Sequence, residues 1–229
     1  MPSPRIGRNK TVPGEEVSLA ALSDDDIAGE ARRVIDANRR AVGGVAATVD
    51  DAFVRVARLL STVTGKVLIT GSGTSGTIAS RAAHLFSFCG TPAFYLPPGD
   101  GLHGGLGVLQ EDDVVLALSK FGGSQELNEF CRRSRALCQS IIVVTASPAS
   151  PLAAHADHVL SVRLEDDADL GGIVATGSSL AMAALIDALV EVTRISRGTT
   201  WESMLFTHPS GGVGTGAASS ARPPAKEDA

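Results

Sequence analysis

The chain has 229 residues, 44% of them hydrophobic and only 4% aromatic, enough for one α/β domain with helical appendages. A net charge of -5 and the lack of any long basic run argue against nucleic acid as the main partner, so an anionic ligand would need local, directed donors. No apolar run approaches about 18 residues, and the opening MPSPRIGRNK has no apolar segment after its basic residues. Neither a membrane span nor a signal peptide is therefore expected, and the expected location is the cytoplasm. Cys89, Cys131 and Cys138 have no metal-ligand spacing and read as reduced thiols filling the core.

Residues 1–22 mix proline, glycine and charge without a sustained period and read as a flexible arm. Ser23 followed by Asp24, Asp25 and Asp26 marks a helix start, because a hydroxyl cap and first-turn carboxylates both suit the positive end of a helix dipole. That helix carries Ile27, Ala31, Val34, Ile35 and Val42, pauses at Gly43 and Gly44, and is followed by a second over residues 49–60. Both lie outside the strand and helix alternation that follows. Their apolar faces are expected to pack on the sheet's own helices or on a second subunit.

Residues 65–90, GKVLITGSGTSGTIASRAAHLFSFCG, organise the rest of the chain. Val67, Leu68, Ile69 and Thr70 form the short apolar run of a strand buried on both faces, and GSGTSG breaks it. From Thr77 the period becomes helical, with Ile78, Ala82, Leu85, Phe86 and Cys89 on one face and Gly90 as the stop. A strand feeding a glycine and hydroxyl turn that opens a helix sets unpaired N–H groups beside a positive dipole end, which is an anion site. Gly71, Gly73 and Gly76 match G-x-G-x-x-G, but the next strand ends at Leu96 without an acidic residue for a ribose. The turn also lacks the GKS or GKT ending of a Walker A loop.

Residues 93–96 are expected to form the second strand, followed by PPGDGLHGGLG as a positioned loop rather than a helix. The third strand, 114–118, ends in Ser119, Lys120, Phe121, Gly122, Gly123 and Ser124, ahead of a helix with Leu127, Phe130, Cys131, Leu137 and Cys138. Strands over 141–145 and 158–164 follow, then the acidic LEDDADLGG, a long helix over 175–196, a short helix from Trp201, and THPSGGVG. The tail 215–229 is small, polar and proline-containing and reads as disordered. Short strands alternating with helices predict a five-stranded parallel sheet with right-handed crossovers, and ligands in such sheets lie beyond the carboxyl ends of the strands. Two hydroxyl-lined helix starts on that edge suit a phosphate better than either alone.

With GSGTSG, TPAFYLPPGDGLHGGLG, DVVLALSKFGGSQE, SPASPLAAHADHVLSV and THPSGGVG in this order, the chain resembles the SIS (sugar isomerase) domain family, within it the arabinose-5-phosphate isomerase group. The resemblance covers residues 67–214 and implies a single α/β domain over 23–214, a three-layer sandwich with helices on both faces of the sheet. It also implies assembly as dimers or tetramers with sites near subunit interfaces. The tandem CBS pair that usually follows is expected to be absent, since the chain ends soon after THPSGGVG. The implied anion ligands are Thr74, Ser75, Ser119 and Ser124, with N–H groups of Gly73 and Gly122. Thr74 stands where that group usually has lysine, and Gly123 replaces the glutamate of the family's SGE loop. Lys120 is a candidate for the missing cation.

The resemblance implies an aldose–ketose isomerase acting on a sugar with an anionic terminal group through a cis-enediol, with no cofactor and no metal. Such a reaction needs a base that moves a proton between adjacent carbons and an acid for the carbonyl oxygen, and imidazoles suit both tasks. His103 and His208 match the family's site histidines, and Glu126 or Asp167 is the expected base, Asp167 aligning with a family glutamate. His84, His155 and His158 read as structural. The altered donors leave open a sulfosugar of the sulfoquinovose type in place of a sugar phosphate, and the missing glutamate at Gly123 leaves open a non-catalytic sugar-phosphate sensor. Amino-sugar chemistry is a further option that no residue here selects. The expected partner is a small anionic sugar, with neither nucleic acid nor membrane.

Overall fold

A computed structural model describes residues 22–211. The expected arm, apart from Leu22, and the expected tail lie outside them. Helix α1 (Asp24–Gly43) opens on a reciprocal cap: the Ser23 hydroxyl accepts the Asp26 N–H at 3.2 Å, and the Asp26 carboxylate accepts the Ser23 N–H at 3.1 Å. A 3₁₀ turn, Gly44–Thr48, fills the expected pause. Helix α2 (Asp51–Thr62) then starts on Asp50, whose carboxylate accepts the N–H groups of Ala52 and Phe53.

Five parallel strands follow: β1 (Val67–Gly71), β2 (Ala93–Tyr95), β3 (Val114–Leu118), β4 (Ser140–Thr145) and β5 (His158–Ser161). They lie in the order β2-β1-β3-β4-β5. Between and after them run α3 (Thr74–Phe88), α4 (Pro98–Leu102), α5 (Gln125–Ser134), α6 (Gly177–Ser196) and α7 (Trp201–Thr207).

Alternation along the strands divides the core in two. Val67 and Ile69 of β1, Leu116 and Leu118 of β3 and Val144 of β4 pack with Ala82 and Phe86 of α3, Leu60 of α2 and Leu185 of α6. Leu68, Val115, Ala117 and Val143 face the other way, onto Leu127 and Phe130 of α5. The sheet is thus covered on both faces, as a parallel sheet must be. Removing the fully buried Phe86 or Phe130 ring costs roughly 3–5 kcal/mol at such sites.

Three expected boundaries move. Helix α3 begins at Thr74, not Thr77, because Gly73 takes φ +57° and admits the next residue directly into the helix. The stretch after β2 is not a plain loop: Pro98 at the start, a position that needs no N–H, and Asp100 in the first turn support α4, which packs on α5. Strand β5 stops at Ser161, short of the expected residue 164.

Candidate functional site

β1 and β3 are neighbours whose last paired residues are Gly71 and Leu118. From Gly71 the chain turns onto one face through α3 towards β2, and from Leu118 onto the other face through α5 towards β4. Crossovers that leave adjacent strands in opposite directions open a crevice at the carboxyl edge, the place where open α/β sheets bind ligands. The two hydroxyl bends, 72–75 and 119–124, are its two walls.

In the first bend no side chain caps α3; the Gly76 N–H turns back to the Ser72 and Gly73 carbonyls, which leaves the N–H groups of Thr74 and Ser75 for a ligand. An atom added at the Cα of Gly73 would meet nothing within 4 Å, so the space over the helix start is open. Gly73 and Thr74 are exposed and Ser75 half-buried. Behind them the Tyr95 hydroxyl donates to the Gly71 carbonyl at 3.1 Å and the Thr70 hydroxyl to the Leu96 carbonyl at 2.8 Å, fixing the strand end to β2.

The second bend is cross-braced. The Ser119 hydroxyl oxygen accepts the Gly122 N–H at 3.0 Å, and the Ser124 oxygen caps α5 by accepting the Leu127 N–H at 3.4 Å. Each oxygen is thereby anchored while its O–H stays available to donate. The Asn128 amide donates to the carbonyls of Gly122 (3.0 Å) and Ser124 (2.7 Å). Gly122 needs to be glycine: φ is +63°, and a Cβ there would lie 2.1 Å from the Ser150 hydroxyl oxygen.

The other expected site residues do not all converge within one chain. His103 follows α4 at the same sheet edge, exposed, with Nδ1 2.7 Å from the Gly99 carbonyl oxygen. A carbonyl only accepts, so Nδ1 carries a proton, and in the neutral ring Nε2 presents a lone pair. His208 follows α7 and packs edge-on against Phe88, ring centroids 5.3 Å apart. Phe88 ends α3, a helix about 22 Å long whose other end is the first bend. His208 is therefore remote from the bends of its own chain. Its Nδ1 is buried without a hydrogen-bond partner among the described residues.

Glu126 is exposed in the first turn of α5, beside the second bend. Asp167 turns instead to α1, where Arg40 holds it through Nη2 at 2.5 Å while Nη1 donates to Asp36 and Nε to Glu165. Lys120 does not stand free as a cation for a ligand: Nζ donates to Asp169 at 2.5 Å and lies 4.4 Å from the Phe121 ring centre.

Asp169 was hidden from sequence reading in LEDDADLGG, whose four carboxylates look alike on paper. It is 5% exposed and also accepts the N–H groups of Thr176 and Ser178, each at 2.9 Å, and the Ser178 hydroxyl at 2.8 Å. Burial pushes its carboxyl up, but Lys120 and the Ser178 and Thr176 donors together outweigh that and hold it below the ordinary carboxylate value. Arg40 was likewise missed, since nothing in a helix pattern shows that its guanidinium reaches a loop 125 residues away.

Residues 60–192 match the SIS domain family. The arabinose 5-phosphate isomerase KdsD of Pseudomonas aeruginosa is 34% identical over 189 residues, 82% of this chain and 58% of KdsD. Arabinose 5-phosphate isomerase GutQ of Escherichia coli K12 is 34% identical over 164 residues, 72% of this chain and 51% of GutQ. This chain spans about half the length of these curated relatives. The solved structure of E. coli CFT073 c3406, in complex with a sugar phosphate, has a TM-score of 0.78 at 26% identity, covering 82% of this chain and all of that one. No helix among the described residues is long and apolar enough to cross a membrane. The doubly covered parallel sheet with its order of strands, the two hydroxyl bends and these matches agree, and the chain belongs to the SIS domain family.

Proposed function

We propose that this protein is an aldose–ketose isomerase acting on a sugar phosphate through a cis-enediol. The observation that carries the reading is the pair of hydroxyl-lined helix starts at the ends of adjacent strands β1 and β3. Thr74, Ser75, Ser119 and Ser124, with the N–H groups of Gly73 and Gly122, hold the phosphate, and the two helix dipoles favour its charge. The names of KdsD and GutQ and the sugar phosphate bound to c3406 make arabinose 5-phosphate the first substrate to test.

With the phosphate held, the open-chain sugar extends towards α4. His103 Nε2 takes or returns a proton at the carbonyl end, and a carboxylate moves the proton between the two carbons. Glu126 fills that role better than Asp167, whose carboxylate is matched by Arg40. His208, remote from its own bends, serves the site of a second copy, which makes the oligomer part of the active site. Lys120 contributes to the wall of the site, its charge matched by Asp169.

That last observation also favours the sulfosugar reading. Thr74 stands where the isomerase group usually has lysine, and the one cation within the bends is already paired, so the donors are neutral hydroxyls and dipole ends. A sulfonate carries one charge where phosphate carries nearly two. Relative turnover of sulfoquinovose and arabinose 5-phosphate separates the two readings.

The test is isomerisation of arabinose 5-phosphate in D₂O. Deuterium appearing at the carbon next to the carbonyl is expected for an enediol route, and a ketose formed without exchange argues for hydride shift. His103→Ala and His208→Ala are each expected to lose about 10²–10⁴-fold in kcat. Their equimolar mixture should recover about a quarter of wild-type activity if the two imidazoles of one site come from different copies. No turnover of any anionic sugar by the wild type would favour the sensor reading instead.

A further inference from the structure

Two lysine–aspartate pairs, each with a buried carboxylate and a half-buried lysine, stand at opposite edges of the sheet. At the amino edge, Lys66 precedes β1 and Asp113 precedes β3; Nζ meets the carboxylate at 2.6 Å, and the N–H groups of Lys66 and Gln110 donate to it at 2.8 Å. At the carboxyl edge, Lys120 meets Asp169 at 2.5 Å. The chemistry is the same, but the second pair lies inside the second bend.

Asp169 is itself held by three donors at the start of α6: the N–H groups of Thr176 and Ser178 and the Ser178 hydroxyl. Its carboxylate is 2% exposed and the Lys120 side chain 18%, so the pair acts in a low dielectric rather than as a screened surface contact. The Lys120 carbonyl accepts the Thr145 hydroxyl and the Ala146 N–H, each at 3.1 Å. Lys120 is thus pinned at both its backbone and its ammonium, directly after Ser119 and two residues before Gly122, the pair whose hydrogen bond shapes the bend.

We propose that Asp169 is a positioning residue for anion binding: by holding Lys120 it sets the second bend so that the hydroxyls of Ser119 and Ser124 point into the crevice. The proposal rests on the reading of the bends as the anion site. It assigns Lys120 a structural charge and makes the first turn of α6 part of the site's support. The alternative, Lys120 as a direct ligand restrained by Asp169, makes the opposite prediction for Asp169→Asn.

The experiment is calorimetric titration of the full chain with inorganic phosphate and with arabinose 5-phosphate, beside thermal denaturation and steady-state kinetics. The variants are Asp169→Asn, Lys120→Met, their double, and Asp113→Asn as the matched control. Both aspartate variants should lower Tm. Only Asp169→Asn and Lys120→Met should raise Kd for phosphate, by about tenfold, with KM rising more than kcat falls. The double variant should be no weaker than the worse single, because the two residues act as one unit. Phosphate bound by Asp169→Asn as tightly as or more tightly than by wild type overturns the proposal, as does an equal loss in Asp113→Asn. If Asp169→Asn does not fold, Lys120→Met decides: an unchanged Kd overturns the proposal. A wild type that binds neither probe overturns the reading of the bends and this inference together, whereas a wild type that binds while the variants match it overturns this inference alone.

Discussion

The two bends proposed to hold the anion are built by different means. The first leaves its helix start without a side-chain cap and its space open, braced from behind by Tyr95 and Thr70. The second ties each hydroxyl oxygen to an N–H, clamps two carbonyls with Asn128 and anchors Lys120 on Asp169. In the proposed site a ligand would meet one wall with open space and one that is braced beforehand. Preorganised donors lose less freedom on binding, so on the proposed reading the second wall would supply orientation and the first would supply fit.

Glycine substitution separates the walls most strongly. Gly122→Ala forces φ +63° on a residue with a Cβ and drives that Cβ into Ser150, and should cost about 2–4 kcal/mol and abolish ligand binding. Gly73→Ala puts a Cβ at φ +57°, ψ -133°, a region that favours glycine, but into open space, and should cost about 1–3 kcal/mol, less than Gly122→Ala. Chemical denaturation of both variants checks the ordering; equal losses would remove the distinction.

Serine substitution gives a smaller contrast. Ser119→Ala removes the acceptor of the Gly122 N–H as well as a ligand donor, and should lower stability by about 1 kcal/mol while weakening phosphate binding. Ser75→Ala should weaken binding with stability unchanged within about 0.5 kcal/mol. Paired Tm and titration measurements test this, and a Ser75→Ala variant as destabilised as Ser119→Ala would contradict it.

Acid gives the smallest effect. The Asp169 carboxyl sits below its ordinary value in the folded state, so its contribution is complete above the unfolded value near about 3.9 and is lost as pH falls through the lower folded value. Asp113 and Asp157 are shifted the same way and add to the slope. The Tm should fall on acidification from about pH 5 towards 3, and less steeply in Asp169→Asn. Identical slopes would mean that the pair carries no acid-labile stability.

Much of this fold is legible in the sequence because buried parallel strands are unbroken apolar runs: residues 67–71, 114–118 and 140–145 are buried at every position. The parallel sheet, the helical faces and both bends follow from the alternation and the family likeness. The start of α3 was displaced because Thr74 and Ser75 look like loop chemistry while their backbone is already helical. Helix α4 was masked by Gly99 and Gly101, whose local preference is overridden by packing on α5, while Pro98 suits its first position. Asp169 and Arg40 were invisible for a different reason. Which of several neighbouring carboxylates turns inward is decided by tertiary partners such as Lys120 and Ser178, which the local pattern does not single out.

The central claim is that the two bends grip the anionic end of a sugar between them, and a crystal structure with arabinose 5-phosphate bound tests it most directly. The phosphate is expected within hydrogen-bond reach of Ser75, Ser119 and Ser124, with the sugar chain running towards His103. Density for the sugar elsewhere, with both bends empty at saturating ligand, would contradict the account.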